Sequence, residues 1–184
     1  METGYFKISK GIFLVMKTDV IVRKWKEEDA AGVRKVLQLS WQKAYSSFIP
    51  QEDLDFYLDK TYSEPSLQEM SKNPDYICYV AEIENTIGGW LKLTDNKSEK
   101  RFYLSSIYVL PEFQNMKIGE KFCRFAYEEA VKKGFTEIHI GVMVQNKRAL
   151  QWYQKLGFTF FEEQPFTMGT TSVPHLIGRK VLDK

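Results

Sequence analysis

The sequence predicts one α/β domain built on a mixed β-sheet. Its 184 residues, 43% of them hydrophobic and 15% aromatic, suffice for one full core, whereas two domains of half that length would each be small. Apolar spacing gives the order strand, helices, three strands, helix, strand, helix and two strands. Strands that alternate with helices favour parallel pairing, and consecutive strands favour hairpins, so one sheet is expected to contain both.

The first third of the chain is mostly helical. Residues 20–23 form a short apolar strand, after which the acidic run 27–29 precedes apolar residues at helical spacing from 33 to 45. Pro50 interrupts this pattern, and the apolar residues between 54 and 70 predict further short helices. This part therefore contributes one strand and several helices.

Three consecutive strands are predicted next. Residues 76–82 and 86–93 are joined through Glu84-Asn85, a pair typical of a tight hairpin turn. Gly88-Gly89 indicates a bulge or a close approach of the backbone. The third strand covers 102–110, after a polar run at 95–101 that predicts an exposed loop.

Two amphipathic helices follow, each ended by a glycine. Apolar residues recur at helical spacing over 118–131 and again over 149–156, and Gly134 and Gly157 provide the stops. The strand between these helices is expected to run parallel to the strand before them. The remaining strands are predicted at 137–142, 159–166 and 175–182.

The composition excludes several classes of partner and site. Lys plus Arg number 26 and Asp plus Glu 24, a formal net charge of +2 without a long basic block, so no nucleic-acid partner is expected. The apolar stretch 11–16 is too short to span a membrane. Cys78 and Cys123 lie in apolar runs with no histidine at metal-ligand spacing. We expect buried thiols, no metal site and a cytoplasmic location.

Residues 1–16 stand apart from the periodic pattern. We expect them to form a non-core N-terminal extension, and we expect the domain to cover residues 17–184. The alternative is a wrongly assigned start, with Met16 as the first residue.

The junction between the strand at 102–110 and the helix at 118–131 predicts an anion site. Pro111 ends the strand, and Gln114–Gly119 leads into the helix. The first turn of a helix leaves backbone N–H groups without intrahelical partners and carries partial positive charge. A loop that wraps these groups around a diphosphate binds it through backbone alone. The expected ligand is therefore a small molecule that carries a pyrophosphate.

Two segments give the chain a family resemblance. Gln114–Gly119 resembles the Q/R-x-x-G-x-G/A signature, and Asn146–Phe158 resembles the N-x-x-A-x-x-x-Y-x-x-x-G-F signature, of the GNAT superfamily of acetyl-CoA-dependent N-acetyltransferases. The resemblance implies a single-domain GNAT fold, with a mostly antiparallel sheet of about seven strands splayed in the middle and about four to five helices. Ile140–Val142 and Phe166–Gly169 look like PaiA-type polyamine (spermidine/spermine) N-acetyltransferases.

One position departs from the signature. Lys117 stands where the family has its first glycine. A lysine there adds charge near the phosphates or crowds a backbone position that prefers glycine.

The resemblance implies acetyl-CoA as cofactor and assigns its binding residues. The backbone at 107–109 would pair with the pantetheine arm as an added strand and polarise the thioester oxygen. The loop would hold the pyrophosphate. Asn146 would donate a hydrogen bond to the pantetheine, or would alternatively serve as the N-cap of the helix that follows it. The cofactor residues are Ile107, Tyr108, Val109, Gln114, Asn115, Met116, Lys117, Ile118, Gly119, Glu120, Asn146, Ala149 and Tyr153.

The same resemblance proposes the catalytic groups. Tyr153 would protonate the departing thiolate, and its alternative is a core tyrosine with its hydroxyl at the rim. Many relatives carry a carboxylate on the strand before the loop, whereas this strand has none. Glu82 on a neighbouring strand is the candidate base, with an exposed structural glutamate or a water chain ending in backbone or Tyr103 as alternatives. His139 is expected to be a packed histidine, and His175 has no assigned place.

The predicted function is acetyl transfer to a small-molecule primary amine by direct attack in a ternary complex, with a polyamine as leading candidate. The alternatives are a peptide or protein amine and a non-catalytic acyl-CoA-binding sensor, and a homodimer is compatible with the family. The substrate residues are Trp41, Tyr45, Tyr103 and Ser105. The wall is expected to mix aromatic and acidic groups suited to a polycation, with ordinary core aromatics and solvated carboxylates as the alternative: Trp41, Tyr45, Phe48, Asp53, Asp55, Phe56, Tyr57 and Asp59.

Overall fold

The computed structural model describes residues 4–7, 13–16 and 19–182. The strands are β1 (Gly4–Lys7), β2 (Phe13–Met16), β3 (Val20–Lys24), β4 (Tyr76–Ile83), β5 (Thr86–Asn96), β6 (Arg101–Val109), β7 (Glu137–Met143), β8 (Thr159–Met168) and β9 (Thr171–Val181). The α-helices are α1 (Ala30–Tyr45), α2 (Gln51–Tyr62), α3 (Glu64–Lys72), α4 (Ile118–Lys132) and α5 (Lys147–Lys155), with 3₁₀ turns at Glu27–Asp29 and Pro111–Met116.

Seven strands form one open sheet in the order β3-β4-β5-β6-β7-β9-β8. All neighbours are antiparallel except β6 and β7, which run parallel. Their parallel register covers only Tyr103 opposite His139 and Leu104 opposite Ile140. Beyond Leu104 the two strands part, and a gap opens in the middle of the sheet. The predicted mixed sheet and its splay are confirmed.

Two bulges shape the strands that lead to this gap. The β4–β5 turn at Glu84 and Asn85 has φ of 49° and 62°, the left-handed pair of a two-residue hairpin. The register then shifts so that Gly88 is the extra residue of β5. A side chain there would meet Ile83 at 2.4 Å, so the predicted close approach is also present. A second shift makes Ser105 the extra residue of β6, at the level where β6 leaves β7.

The helices cover the two faces of the sheet. One buried cluster joins α1, α2 and α3 to one face, with Leu37, Leu67 and Trp90 fully enclosed. The other cluster joins α4 and α5 to the opposite face, around Phe122 and Ile138. The gap between β6 and β7 is therefore approached by α1 and α2 from one side and by α4 and α5 from the other.

Two local expectations differ from the structure. The exposed connection is shorter than the predicted loop at 95–101 and covers 97–100, because β5 continues to Asn96 and β6 begins at Arg101. Asp95 is buried and forms ion pairs with Lys97 and Lys133, which extend the strand pair. In addition, β1 and β2 pair with each other as a two-stranded sheet that the sequence did not predict. The proposed boundary of the domain at residue 17 stays a prediction.

The two-residue turn between β8 and β9 is held by a carboxylate from α2. Asp53 accepts hydrogen bonds from the backbone N–H groups of Thr170 and Thr171 at 2.8 and 3.1 Å, and from the Thr171 hydroxyl at 2.6 Å. Gly169 adopts φ of 60°, and a Cβ there would lie 2.0 Å from the Asp53 carboxylate. The turn is therefore shaped around this side chain, and the hydrogen bond from the Thr171 hydroxyl leads the causes that lower the pKa of Asp53.

Replacing this carboxylate should destabilise the fold in a pH-dependent way. A carboxyl group with a depressed folded pKa contributes stability above its unfolded pKa, near 3.8 here, and that stability is lost as pH falls through the folded pKa. We expect Asp53→Asn to lower the melting temperature at pH 7. The difference in melting temperature between this variant and the wild type should narrow below pH ~4. Asp55→Asn, on the exposed side of α2, is the control and should melt like the wild type. Equal melting of both variants would contradict this role.

Candidate active site

The loop before α4 presents a helix N-terminus at the gap side of β6. Residues Pro111–Met116 form a 3₁₀ turn, Lys117 adopts the left-handed conformation, and α4 begins at Ile118. The first intrahelical hydrogen bond of α4 runs from the Lys121 N–H to the Lys117 carbonyl, at 3.1 Å. The amides of residues 118–120 precede that bond and have no intrahelical acceptor. This arrangement suits a diphosphate.

Lys117 occupies a backbone conformation that ordinarily favours glycine. Its φ is 57° and its ψ is 23°. The left-handed region costs a side-chain-bearing residue roughly 1–2 kcal/mol. The glycine of the family signature is therefore replaced here by a strained lysine, and the loop keeps the required turn.

The start of α4 packs against α5 at Gly119. A Cβ at this position would lie 3.0 Å from Trp152 Cζ2. The indole of Trp152 in turn packs against the ring of Tyr153, with centroids 4.8 Å apart. The two sequence signatures thus meet in space, because the bare backbone of Gly119 lets the α5 aromatics approach the start of α4.

The backbone of β6 is open toward the gap. On one side β6 pairs with β5, with Leu91 opposite Ile107 and Gly89 opposite Val109. The N–H of Leu110 donates to Gly88 of β5 at 2.9 Å. Since successive strand N–H groups point to opposite sides, those of Ile107 and Val109 face the gap. These amides lie where the added-strand prediction requires them, and that role stays a prediction.

Asn146 caps α5. Its side-chain oxygen accepts the Ala149 N–H at 3.2 Å, so the N-cap interpretation is correct. This bond engages the Ala149 amide and leaves the Asn146 amide nitrogen for another partner. Asn146 also faces the Tyr45 hydroxyl, and that contact opposes the burial that raises the pKa of Tyr45.

Tyr153 lies at the centre of the gap-facing aromatic cluster. Its side chain is 6% exposed and packs between Trp152 and Phe158. Burial raises its pKa well above the ordinary value, and Cys123 and Tyr108 add to the shift. Among residues 19–182 its hydroxyl has no hydrogen-bond partner. The phenol therefore stays protonated at neutral pH and is a proton donor without an acceptor.

The opposite wall of the gap is a chain of hydroxyl and indole groups from α1, α2 and β6. The Tyr45 and Tyr108 hydroxyls lie 3.2 Å apart, and the Tyr62 and Ser106 hydroxyls also lie 3.2 Å apart. Trp41 packs between Tyr62 and Tyr108, with ring centroids 5.8 and 6.0 Å away. Its indole N–H is buried and faces the Tyr108 hydroxyl, without a hydrogen bond of ordinary geometry among the described residues.

Glu82 lies in an ion pair. Its carboxylate accepts Arg23 Nε at 2.7 Å, and the same guanidinium binds Asp29 through two further bonds of 2.7 and 2.8 Å. This arrangement ties β4 to β3 and to the turn before α1. The ion pair engages this carboxylate, so the geometry favours the structural alternative, and the catalytic role of Glu82 stays a prediction.

The four predicted substrate residues lie in different surroundings. Ser105 donates to the Thr94 hydroxyl at 2.7 Å and is exposed at the bulge. Tyr103 donates to Glu99 at 2.6 Å and packs against His139. Trp41 and Tyr45 instead form part of the hydroxyl wall. The structure does not bring these four residues into one cluster.

The two histidines differ in position. His139 is 3% exposed, packs between Tyr103 and Phe161, and is a packed histidine as expected. The ring of His175 lies over Gly141, where a Cβ would be 2.0 Å from its Cε1. Gly141 follows the last parallel pair of β7, so His175 stands at the β7 rim of the gap. Burial lowers its pKa, which keeps the imidazole neutral at pH 7.

The residues 37–158 match the model of the acetyltransferase (GNAT) family. This segment contains the loop, the open strand and the tyrosine helix described above. The chain belongs to the GNAT family. It is an acetyl-CoA-dependent N-acetyltransferase, as this membership and its curated relatives show.

Two curated relatives of the GNAT chain act on different amines. The spermidine N(1)-acetyltransferase of Thermoplasma acidophilum is 30% identical over 74% of this chain and 86% of the relative. The thialysine N-epsilon-acetyltransferase of Bos taurus is 28% identical over 75% of this chain and 83% of the relative. Among solved structures, the PaiA N-acetyltransferase of T. acidophilum in complex with coenzyme A superposes with a TM-score of 0.75 at 23% identity. That superposition covers 89% of this chain and 99% of the other.

Four residues of this region are not predicted by the sequence. Trp152 was assigned only to the apolar face of a helix, and Tyr62 and Ser106 were given no role. Lys92 was also missed, although a lysine inside the apolar run Trp90–Leu93 is a usable signal. No pattern in the sequence indicates that Tyr62 and Ser106 meet.

Substitutions at Lys117 should separate backbone strain from charge. Glycine adopts the left-handed conformation without the side-chain penalty, although it also gains entropy in the unfolded chain. We expect Lys117→Gly to be more stable than Lys117→Ala by about 1 kcal/mol in urea unfolding. Both variants lose the same charge. Any change in coenzyme A affinity that both variants show therefore measures the contribution of the Lys117 ammonium to binding. Equal stability of the two variants would show that the loop relaxes out of the left-handed conformation.

Proposed function

We propose that this N-acetyltransferase acetylates a primary amine of a small molecule by direct attack on acetyl-CoA in a ternary complex. The observation that carries this proposal is the gap between β6 and β7. The unpaired amides of β6 and the start of α4 lie on one side of it, and the hydroxyl wall lies on the other. An acceptor that enters along α1 and α2 meets a thioester that enters along α4 and α5. Positioning of the two reactants accounts for much of the rate.

In this proposal the gap-facing backbone of β6 orients the thioester. The Ile107 and Val109 amides hydrogen-bond the pantetheine arm, and one of them polarises the thioester carbonyl. The neutral amine attacks this carbonyl carbon and forms the new C–N bond while the C–S bond breaks. Tyr153 donates its proton to the departing sulfur. Its isolation from other hydrogen-bond partners supports this role.

The attacking nitrogen must lose a proton, and His175 is a better placed acceptor for it than Glu82. His175 stands at the β7 rim beside Gly141, and its lowered pKa keeps the imidazole free to accept a proton. Glu82 is held by Arg23 on the far strands of the sheet. We infer that His175 takes the proton directly or through a water molecule, with Glu82 as the alternative.

The acidic groups of α2 give little support to a polycation. Asp53 is committed to the β8–β9 turn, and Asp59 pairs with Arg34 at 2.6 Å. Asp55 accepts a bond from Gln51 on the exposed side of the helix. Polyamine and amino-acid acceptors both occur among the relatives, so the general proposal is a small primary amine. A peptide amine and a non-catalytic acyl-CoA sensor are the alternatives.

An amine screen with acetyl-CoA, read by release of free thiol, tests the proposed reaction. We expect transfer to at least one small primary amine, and we expect Tyr153→Phe to reduce kcat for it by roughly 100-fold with little change in coenzyme A affinity. Tyr127→Phe removes another phenol that packs against the same hydrophobic cluster and is the control. Binding of coenzyme A with no acceptor in the screen would favour the sensor, and unchanged turnover in Tyr153→Phe would remove its assigned role.

The pH dependence of kcat/KM should identify the base. A base must be unprotonated to act, and the lowered pKa of His175 places its titration below the ordinary value of 6.5. As the pH is lowered, log kcat/KM of the wild type should fall, and it should fall more steeply below the pKa of the base than above it. Below that pKa both the base and the substrate amine are protonated, and both must lose a proton before the reaction. His175→Gln should lose this extra slope, whereas Glu82→Gln should keep it. The reverse pattern would assign the base to Glu82.

A further inference from the structure

Five aromatic side chains form a continuous series from one rim of the gap to the other. The ring of Tyr108 on β6 lies 6.0 Å from that of Trp41 on α1, centroid to centroid, and Trp41 lies 5.7 Å from Tyr57 on α2. Tyr57 lies 5.9 Å from Phe166 on β8, and Phe166 lies 5.1 Å from His175 on β9. Neighbouring rings are tilted by 41° to 71°, so none of these contacts is a parallel stack. We call these five residues the aromatic arch.

Both ends of the arch stand where β6 and β7 have already parted. Tyr108 comes after the last paired residue of β6, and the ring of His175 lies over Gly141, the residue of β7 directly after its last parallel pair. The other rings of the arch belong to the cluster formed with α1, α2 and α3. Tyr108 lies close enough to Tyr153 to contribute to its raised pKa. The arch therefore spans the gap on its proposed acceptor side, and one end is near the proposed proton donor.

The rings of the arch are accessible and uncharged. Tyr57, Tyr108, Phe166 and His175 are half-buried, so each leaves part of its surface open to a ligand. Burial raises the pKa of Tyr57 and of Tyr108 and lowers that of His175. The phenols and the imidazole are therefore neutral at pH 7, and the arch offers apolar ring surface without a charge of its own.

Carboxylates on the elements that carry the arch are bonded to other residues. Asp53, Asp55 and Asp59 of α2 each accept a hydrogen bond from another part of the chain. Glu162 of β8 pairs with Arg101 at 3.3 Å. An ammonium under the arch would lose water without gaining a free partner among them, and ring faces return only part of that cost. An apolar group in the same place gains from burial.

We propose that the aromatic arch binds the body of the acceptor, and that the acceptor is a monoamine with an apolar body. Its nitrogen lies in the gap at the His175 end of the arch, and its body packs against the ring of Tyr57. Tyr57 is then the residue that selects this class of amine over a diamine or polyamine. The inference rests on the proposed function, since it names the class of the same acceptor.

A matched pair of acceptors tests the inference. n-Hexylamine and cadaverine (1,5-diaminopentane) have the same length, and a terminal methyl group in one replaces a terminal amine in the other. We expect the wild type to prefer n-hexylamine in kcat/KM by roughly tenfold or more, because the methyl group gains from burial where a second ammonium would lose its water.

Variants of Tyr57 test its part in this preference. Tyr57→Ala should abolish the preference by raising KM for n-hexylamine with little change in kcat, whereas Tyr57→Phe keeps the ring and should retain it. Phe161→Ala is the control, because Phe161 is an exposed aromatic residue of β8 outside the arch. An equal effect of Tyr57→Ala on both amines would contradict the selective role of Tyr57.

Binding to the coenzyme A-saturated protein, measured by calorimetry, separates this inference from the proposed function. Binding of n-hexylamine that is lost in Tyr57→Ala, without transfer in the wild type, would support the arch as a binding site and contradict the proposed reaction on this acceptor. Transfer to cadaverine at least as efficient as to n-hexylamine would overturn the inference and leave the proposed function intact. Without transfer to either amine, equal binding of the two, or binding of neither, would overturn the inference.

Discussion

The parting of β6 from β7 after two parallel residue pairs is the constraint on which the rest of this molecule depends. A closed sheet would use the β6 amides in its own ladder, and no backbone donor would remain for a ligand. The bulge at Ser105 changes the direction of β6 at the level where its pairing with β7 ends. The antiparallel ladder with β5 holds β6 in place on its other side. The gap is therefore a stable feature of a complete sheet.

Helix packing keeps this gap open and gives its sides different chemistry. On one face, Gly119 brings the start of α4 against Trp152 of α5, so the anion loop and the tyrosine helix are fixed relative to each other. On the other face, α1 and α2 contribute phenol, indole and hydroxyl groups. The strained backbone at Lys117 is tolerated because the turn it forms positions the first amides of α4.

The hydrogen-bond donors of the candidate site are neutral groups. Tyr153, Trp41 and the hydroxyl pairs are buried and uncharged at neutral pH. Proton transfer is consequently proposed for a phenol and an imidazole. Lys92 of β5 is a charged side chain near this wall, and its ammonium lies over the ring of Tyr76.

The sequence alone determined the local features and the family. Residues 84–85 specify a left-handed hairpin turn, the glycines end the helices, and the two signatures indicate the family and predict its cofactor loop, because each depends on neighbours in the chain. Only the tertiary structure decided which side chains meet: Asp53 reaches a turn 117 residues away, and Glu82 is taken by Arg23. Lys92 of β5 lies over the ring of Tyr76 of β4 for the same reason. Such contacts depend on the register and the facing of distant strands, which local patterns do not encode.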